Sequence, residues 1–386
     1  MKLIFLQDME GKRMKPFILI DSEREKEGDL FVPAQICNEE VVNFFLEKGK
    51  GLLCLATYEK GLLERGFFKL PSNGSKTNFF IPVDYGTGTG ISVFERTQTI
   101  KKISEGLDVS CFTYPGHVFL LGAKDGRWGH TEAATYFSEK LGFSPHGVII
   151  EILNNEGSSH DFEYILEFSK KYSLEVVDIR DLYKEYSKDI FGVETKAKLP
   201  TKFDENFEIY TFKNVYDGKE HVAVVKKPLG SVPFVRIHSE CATGDIFHSL
   251  RCDCGEQLEK SIKIISKQGG ILIYLRQEGR GIGLNNKIKA YDLQEKGYDT
   301  VEANLMLGFK EDERDYYVAY LILKTFGVKK IRLLTNNPKK SEELKKYGLE
   351  VIDIPLNGNL NKYNKKYLKT KVLKMGHKIS LKGEKI

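Results

Sequence analysis

Residues 236–257, RIHSECATGDIFHSLRCDCGEQ, constrain this chain more than any other stretch. They hold three of its six cysteines, Cys241, Cys252 and Cys254, as C-x10-C-x-C within 14 residues. Thiolates are soft ligands that bind zinc at about 2.3 Å, and a run this tight can fold over one ion. A structural zinc normally takes four protein ligands. Three leave a position for water, which is the arrangement of a hydrolytic zinc. Zinc lowers the pKa of such a water to about 7. The alternative is three buried, reduced cysteines without metal, and the cysteines by themselves divide evenly between the two.

At 386 residues the chain has room for two ordinary domains. Its composition, 41% hydrophobic and 29% charged, is that of a soluble globular protein. A net charge of +5 is too mild to argue for nucleic acid, and it suits anionic substrates such as phosphates. No apolar run approaches the ~20 residues of a membrane span. The opening MKLIFLQDMEGKRMK has too short an apolar run for a signal peptide. Six cysteines in so long a chain make no disulfide framework, so a reducing cytoplasm is expected.

The order of signals predicts an α/β (α+β) protein of two domains, residues 1–189 and 190–386, each a mixed sheet covered by helices. Residues 16–20, PFILI, read as a buried strand. Five acids follow within residues 21–29, DSEREKEGD, in a strand-to-strand connection. A charge run is usually just solvated, but clustered carboxylates also suit a hard cation such as magnesium. GTGTG at 86–90 lacks dinucleotide spacing and reads as a loop into a helix at 93–103. It is equally an ordinary glycine turn or, through Thr89, a phosphate loop. Periodicity fades over 186–205, which reads as a joint with Pro200 stopping any helix. Strand patterns resume at 207–212 and 221–227. After Cys254, Leu258, Ile262 and Ile265 share one helical face and Gly269 is the stop. That helix start favours a thiolate. The strand GGILIYLRQ then delivers Glu278, Gly279 and Arg280 to its end, where open α/β sheets bind ligands. A helix over 284–296 is closed by Gly297.

These motifs carry a resemblance. RIHSEC (236–241), RCDCGEQL (251–258), YLRQEGRGIGL (274–284), DTVEANLMLGFKEDERDY (299–316), LLTNNPKK (333–340) and KYLKTKVLKMGH (366–377) resemble GTP cyclohydrolase II. The resemblance implies a zinc enzyme that opens the imidazole ring of GTP, releasing formate and pyrophosphate. It implies zinc on Cys241, Cys252 and Cys254. It implies GTP held by Arg236, Ile237, His238, Ser239, Glu240, Gln257, Glu278, Gly279, Arg280, Thr300, Thr335 and Lys340. Arg236, Arg280 and Lys340 offer charge to a triphosphate, and Gln257 and Glu278 suit the guanine edge. The family assigns Asp312 as proton acceptor and Arg314 as nucleophile on the α-phosphorus. An arginine stays protonated, so a charge clamp is the better physical reading of Arg314. Tyr291 is a further proton-transfer candidate. The lysine-rich end, residues 361–385, reads as a solvated tail that is ordered at least to His377.

The first half resembles 3,4-dihydroxy-2-butanone 4-phosphate synthase, more loosely. It does so through the acidic loop, GLLCLA (51–56), VDYGTGTGIS (83–92), PGHVFLL (115–121), RWGHTEAA (127–134) and GVIIEILNNEG (147–157). This implies conversion of ribulose 5-phosphate to a four-carbon phosphate and formate. Glu25 and His130 would hold magnesium or manganese, with Glu27 nearby. Arg24, Glu25, Asp29, Arg127, Trp128, Gly129, His130, Thr131 and Glu151 would bind the sugar phosphate, and His117 and Glu151 would move protons. The remaining histidines, His146, His160, His221 and His248, read as structural. Ser22, Glu95, Tyr114 and Trp128 depart from the family pattern. A homodimer or larger assembly is implied, with no nucleic acid and no membrane. Two rivals stand: a silent first half beside the cyclohydrolase, and a zinc module that binds nucleic acid, which needs a fourth protein ligand.

Overall fold

Contacts within the chain separate two units, Met1–Asp189 and Ile190–Ile386. The computed structural model describes residues 15–22, 27–72, 77–86, 88–159, 162–310 and 312–378. Among these, each unit has a seven-stranded mixed sheet with helices packed on it, the fold class expected from the sequence.

The first unit contains β1 (Phe17–Ile20), β2 (Gly28–Pro33), β3 (Cys54–Tyr58), β4 (Phe79–Asp84), β5 (Thr113–Ala123), β6 (Gly147–Glu151) and β7 (Glu175–Asp178). Their order is β4-β5-β3-β6-β2-β1-β7. The central strands GDLFVP and GVIIE are almost wholly buried, because helices cover the sheet. Ile18, Leu30, Leu55, Val148 and Ile150 form its core. β1 and β2 pair as a hairpin closed at Ile20↔Gly28, so Asp21 and Glu27 stand at this end of the sheet. β2 pairs with β6 so that Asp29 stands opposite Glu151. The helix Val93–Ser104 starts on a reciprocal cap between Ser92 and Glu95, which contributes about 1 kcal/mol. Glu95 therefore has a local structural task.

The second unit contains β8 (Thr195–Leu199), β9 (Phe207–Asn214), β10 (Lys219–Lys226), β11 (Phe234–Ser239), β12 (Gly270–Leu275), β13 (Lys330–Leu334) and β14 (Glu350–Ile354). Their order is β14-β13-β11-β12-β10-β9-β8. β11 runs parallel to both β12 and β13. The fully buried Ile237, Ile273 and Leu333 hold these three strands together, each worth about 1.5–3 kcal/mol. All three carboxyl ends open on one side: β11 leads to Cys241, β12 to Glu278 and β13 to Thr335. That is where a sheet of this kind receives ligands.

The joint expected at 186–205 contains the division between the two units, but it is not irregular. The helix Ile179–Ile190 runs into it, and β8 pairs with β9 inside it. β8 reads TKAKL and four of its five residues are exposed, so it carries no alternating apolar signal. Lysines on such an edge deter pairing with other chains. Among the described residues, no helix is long and apolar enough to cross a membrane.

Candidate active site

The three cysteines arrive from two local structures. Cys241 ends the β11 connection and caps the short helix Ala242–Asp245, while Cys254 opens the helix Cys254–Gln268. Their sulfurs lie within 4.8 Å of one another, the Cys241 and Cys252 Sγ atoms 3.7 Å apart. Gly244 backs the triangle. A Cβ there would stand 2.9 Å from Cys252 Sγ and 3.1 Å from Cys241 Sγ. Three soft donors converging on a backbone cradle fit a zinc ion. Hydrogen bonds from Cys252 and Cys254, then the Lys287 ammonium, hold the Cys241 thiol far below its usual range. Cys252 is pushed up to about 11, first because it donates to Cys241. The three thiols titrate as one coupled set, which gives up its protons when a cation arrives. Gly244→Ala is expected to lower zinc affinity by about 10-fold or more, measured by competition with a chromogenic chelator.

Two buried networks fix this triangle. His238 Nε2 lies 3.0 Å from both oxygens of Asp245, and Asp245 Oδ2 accepts from the Cys241 amide at 3.0 Å and the Tyr274 hydroxyl at 2.9 Å. Glu278 accepts from the Ala242 amide at 2.6 Å, its own Gly279 amide at 2.7 Å and Lys287 at 2.8 Å. Lys287 Nζ is also 3.1 Å from Cys241 Sγ. Gly279 and Arg280 adopt left-handed φ of 61° and 64°, which turns the chain sharply after β12 and aims Arg280 into the site. Tyr291 meets Thr243 at 3.1 Å, and burial pushes its hydroxyl up to about 12.

Two adjoining cavities share Ser239, Cys254, Arg280, Arg314 and Tyr367 as walls. The first also exposes Glu240, Cys241, Cys252, Glu278, Gly279 and Thr300. The second is lined by Arg236, His238, Gln257, Thr335, Lys340, Lys371 and His377. Arg236, Arg280, Arg314, Lys340 and Lys371 make it a cationic chamber. Ser239 Oγ, Arg236 Nε and His377 Nε2 are buried there with no hydrogen-bond partner, the state of a site shaped for a polar ligand. Arg236 donates to Leu334 O at 2.9 Å and Gln257 Oε1 at 2.7 Å, and Lys340 to Ile237 O at 2.7 Å. Ile237 itself is a core residue whose carbonyl does this work. Burial, then repulsion from Arg236, pushes the Lys340 ammonium well below its usual pKa.

The sequence reading left Gln257 and Glu278 free to read a base edge. The structure has both engaged already: Gln257 Nε2 donates to Asp253 at 2.7 Å, and Glu278 serves three donors. Gln257 keeps one N–H and one lone pair for a ligand, and Glu278 keeps one lone pair. Asp312 and Arg314 form a bidentate pair at 2.8 and 2.6 Å. Burial would raise the Asp312 carboxyl, but Arg314 outweighs it and holds it at about 2. Burial would lower Arg314, but Tyr316 and Asp312 keep it protonated.

In the first unit, His117 on β5 pairs with Asp84: the imidazole Nδ1 is 2.7 Å and the amide nitrogen 2.8 Å from its carboxylate. Gly90 gives that carboxylate room, since a Cβ there would overlap it at 1.9 Å. His117 and Glu151 each lie two residues beyond a partner of Cys54, in Cys54↔Phe119 and Cys54↔Ile149. With Asp29 opposite Glu151, they form one row across this end of the sheet. Glu151 Oε2 accepts from the Leu52 amide at 2.8 Å. The Trp128 side chain is committed to the fold. It is 2% exposed, stacks on Tyr186 and donates its indole N–H to Ile179 O at 2.7 Å. That bond draws the segment toward Asp178, which accepts from the Ser22 hydroxyl beside the acidic loop. Gly129 caps the helix His130–Lys140, Thr131 is buried in its first turn, and Arg127 approaches Glu132 at 3.6 Å. Arg24 and Glu25 lie outside the described residues. Sequence reasoning missed Asp84, Asp245, Lys287 and Lys371. Each is a single charge far along the chain from its partner, apart from Asp245, which stands four residues after Cys241 in CATGD and accepts from its amide.

Comparisons with known proteins agree on kinship. The GTP cyclohydrolase II family model matches residues 193–354, and the 3,4-dihydroxy-2-butanone 4-phosphate synthase model matches residues 9–185. Riboflavin biosynthesis protein RibBA of Thermotoga maritima is 52% identical over 370 residues, covering 95% of each chain. RibBA of Staphylococcus aureus is 44% identical, covering 96% of this chain and 98% of that one. A solved structure shares the fold at a TM-score of 0.59 and 24% identity, over 83% of this chain and 90% of that one. It is RibBX, a two-domain 3,4-dihydroxy-2-butanone 4-phosphate synthase from A. baumannii. The chain belongs to the RibBA family of riboflavin biosynthesis enzymes, with a 3,4-dihydroxy-2-butanone 4-phosphate synthase domain ahead of a GTP cyclohydrolase II domain.

Proposed function

We propose that the second unit hydrolyses GTP to 2,5-diamino-6-ribosylamino-4(3H)-pyrimidinone 5′-phosphate, formate and pyrophosphate. One observation carries this reading: a triangle of thiolates opens into a cation-lined chamber. Zinc on Cys241, Cys252 and Cys254 supplies Lewis acidity for water activation. The chain's own residues do the rest. Arg236, Arg280 and Arg314 attract the triphosphate, Lys340 meets it as a proton-bearing donor once the phosphate charge offsets the burial, and Thr335 and Ser239 offer hydroxyls to it. Glu278 and Thr300 face the base end. Arg314 stays charged, so it would stabilise the negative charge on the oxygens of the attacked phosphoryl group, with Asp312 fixing its plane. Tyr291 keeps its proton and can donate it as the ring opens.

The first unit, on this reading, converts ribulose 5-phosphate to 3,4-dihydroxy-2-butanone 4-phosphate and formate. Magnesium or manganese belongs there with Glu25 and His130. The described residues support proton transfer: Asp84 orients the His117 imidazole, and Glu151 stands beside Asp29. Asp84→Asn is expected to slow formate release from ribulose 5-phosphate by about 100-fold and leave GTP turnover unchanged. If the wild-type chain with magnesium makes no formate from ribulose 5-phosphate, the first unit is a scaffold instead. A homodimer or larger assembly is part of the proposal. Six free cysteines suit a reducing cytoplasm.

A further inference from the structure

The cyclohydrolase family match ends at residue 354, but the walls of the site continue past it. The connecting segment crosses the cysteine turn at Gly358, where a Cβ would come within 2.5 Å of Asp253 Cβ. The helix Lys365–Met375 follows. It is anchored along its length. Lys366 Nζ donates to Gly297 O at 2.7 Å, Lys374 pairs with Asp299 and Glu302, and the Lys378 amide donates to Asn336 O at 2.9 Å. Leu368 is buried beneath it at 1% exposure.

Between these anchors the helix turns Tyr367 into both cavities and Lys371 into the cationic one. Lys371 Nζ lies 3.0 Å from Asp253 Oδ1, across 118 residues of sequence. Asp253 Oδ2 takes the Gln257 amide at 2.7 Å, and Gln257 Oε1 takes Arg236 at 2.7 Å. A continuous chain of charge-assisted bonds therefore joins the last helix to Arg236, and it passes through the residue next to Cys254. Asp253 pairs with Lys371 and Asp312 with Arg314, and both cations still line the cavity beside Arg236. A cavity walled by these cations suits an anion, and Lys371 and Tyr367 face the space it would fill.

We propose that the helix Lys365–Met375 is a wall of the nucleotide site, in which Tyr367 and Lys371 bind the substrate's phosphate groups and Lys371 also positions Arg236 through Asp253 and Gln257. This rests on the GTP reading and adds two binding residues to it. The chamber is complete only when the last helix is seated.

The test uses the full-length, zinc-loaded chain and inorganic pyrophosphate as probe. Lys371→Met is expected to weaken pyrophosphate binding in calorimetry by at least about tenfold. It should raise KM for GTP by a similar factor, with a smaller change in kcat and no loss of zinc. Lys371→Arg should restore most of the binding, because it keeps the charge on Asp253. A helix that only stabilises the fold would leave pyrophosphate affinity unmoved, and that result overturns the proposal. If Lys371→Met does not fold, Tyr367→Phe removes one hydroxyl from the cavity junction. A several-fold rise in KM then supports the proposal, and unchanged KM and pyrophosphate affinity overturn it. A wild-type chain inert toward GTP would sink the underlying reading. An active wild type with indifferent variants sinks only the role of the helix.

Discussion

Cys252→Ser is expected to strip the metal and cut formate release from GTP by more than about 100-fold, beyond the usual cost of disturbing a ligand's supporting shell. A serine hydroxyl does not ionise near neutral pH, so the site keeps two thiolates and loses its third anionic corner. Cys252 is the mildest place to make the change, because it precedes the helix Cys254–Gln268 and is only half-buried. Metal analysis and circular dichroism on the same sample separate loss of zinc from loss of fold. Extracting zinc from the unaltered chain should reproduce the defect, and adding it back should repair it. A variant that keeps full zinc, or opens GTP without it, would mean that these thiolates are structural.

Arg314→Met carries the other large effect, and it acts on stability and turnover together. Asp312 is 7% exposed in its side chain and depends on Arg314 for its charge. Removing the guanidinium leaves a buried carboxylate unpaired, at a cost of about 3–5 kcal/mol. The sign against pH follows. In the wild type the folded carboxyl, at about 2, lies below its unfolded value of about 3.9. Its contribution is therefore complete above the unfolded value and is lost as pH falls through about 2. In Arg314→Met burial dominates and the carboxyl rises above its unfolded value, so the variant is penalised at neutral pH and relieved by acid. Thermal melts at pH 7 and pH 4.5 should show the gap from wild type narrowing. The double variant Asp312→Asn/Arg314→Met should recover most of the stability. It should still release pyrophosphate about 10²–10³-fold more slowly, since the clamp on the phosphate is gone.

What the sequence could show divides by distance along the chain. The cysteine pattern, the Gly279–Arg280 turn and the Asp312–Arg314 pair are local, so residue spacing alone puts their groups within reach of one another. Strands such as β12 announce themselves because both faces are buried. β8 does not, because an edge strand of lysines and small residues buries almost nothing. The supporting charges were invisible for a different reason. Lys287 meets Cys241 from 46 residues away, and Lys371 meets Asp253 from 118. Nothing in a lysine's neighbours tells which carboxylate or thiolate the fold will bring to it. The same holds for Arg236 and Lys340. As letters they are phosphate-binding cations, but the fold also ties each to a backbone carbonyl and so makes it part of the frame. Trp128 reads as part of a ligand-binding motif, while its ring is committed to Tyr186 and Ile179.

Incubating the zinc-loaded chain with GTP while following formate and pyrophosphate is the most direct test of the central claim, a three-thiolate metal site joined to a phosphate chamber. Both products are expected, with formate abolished by zinc extraction and restored by zinc. Neither product from GTP, or formate that survives complete removal of the metal, would contradict the claim.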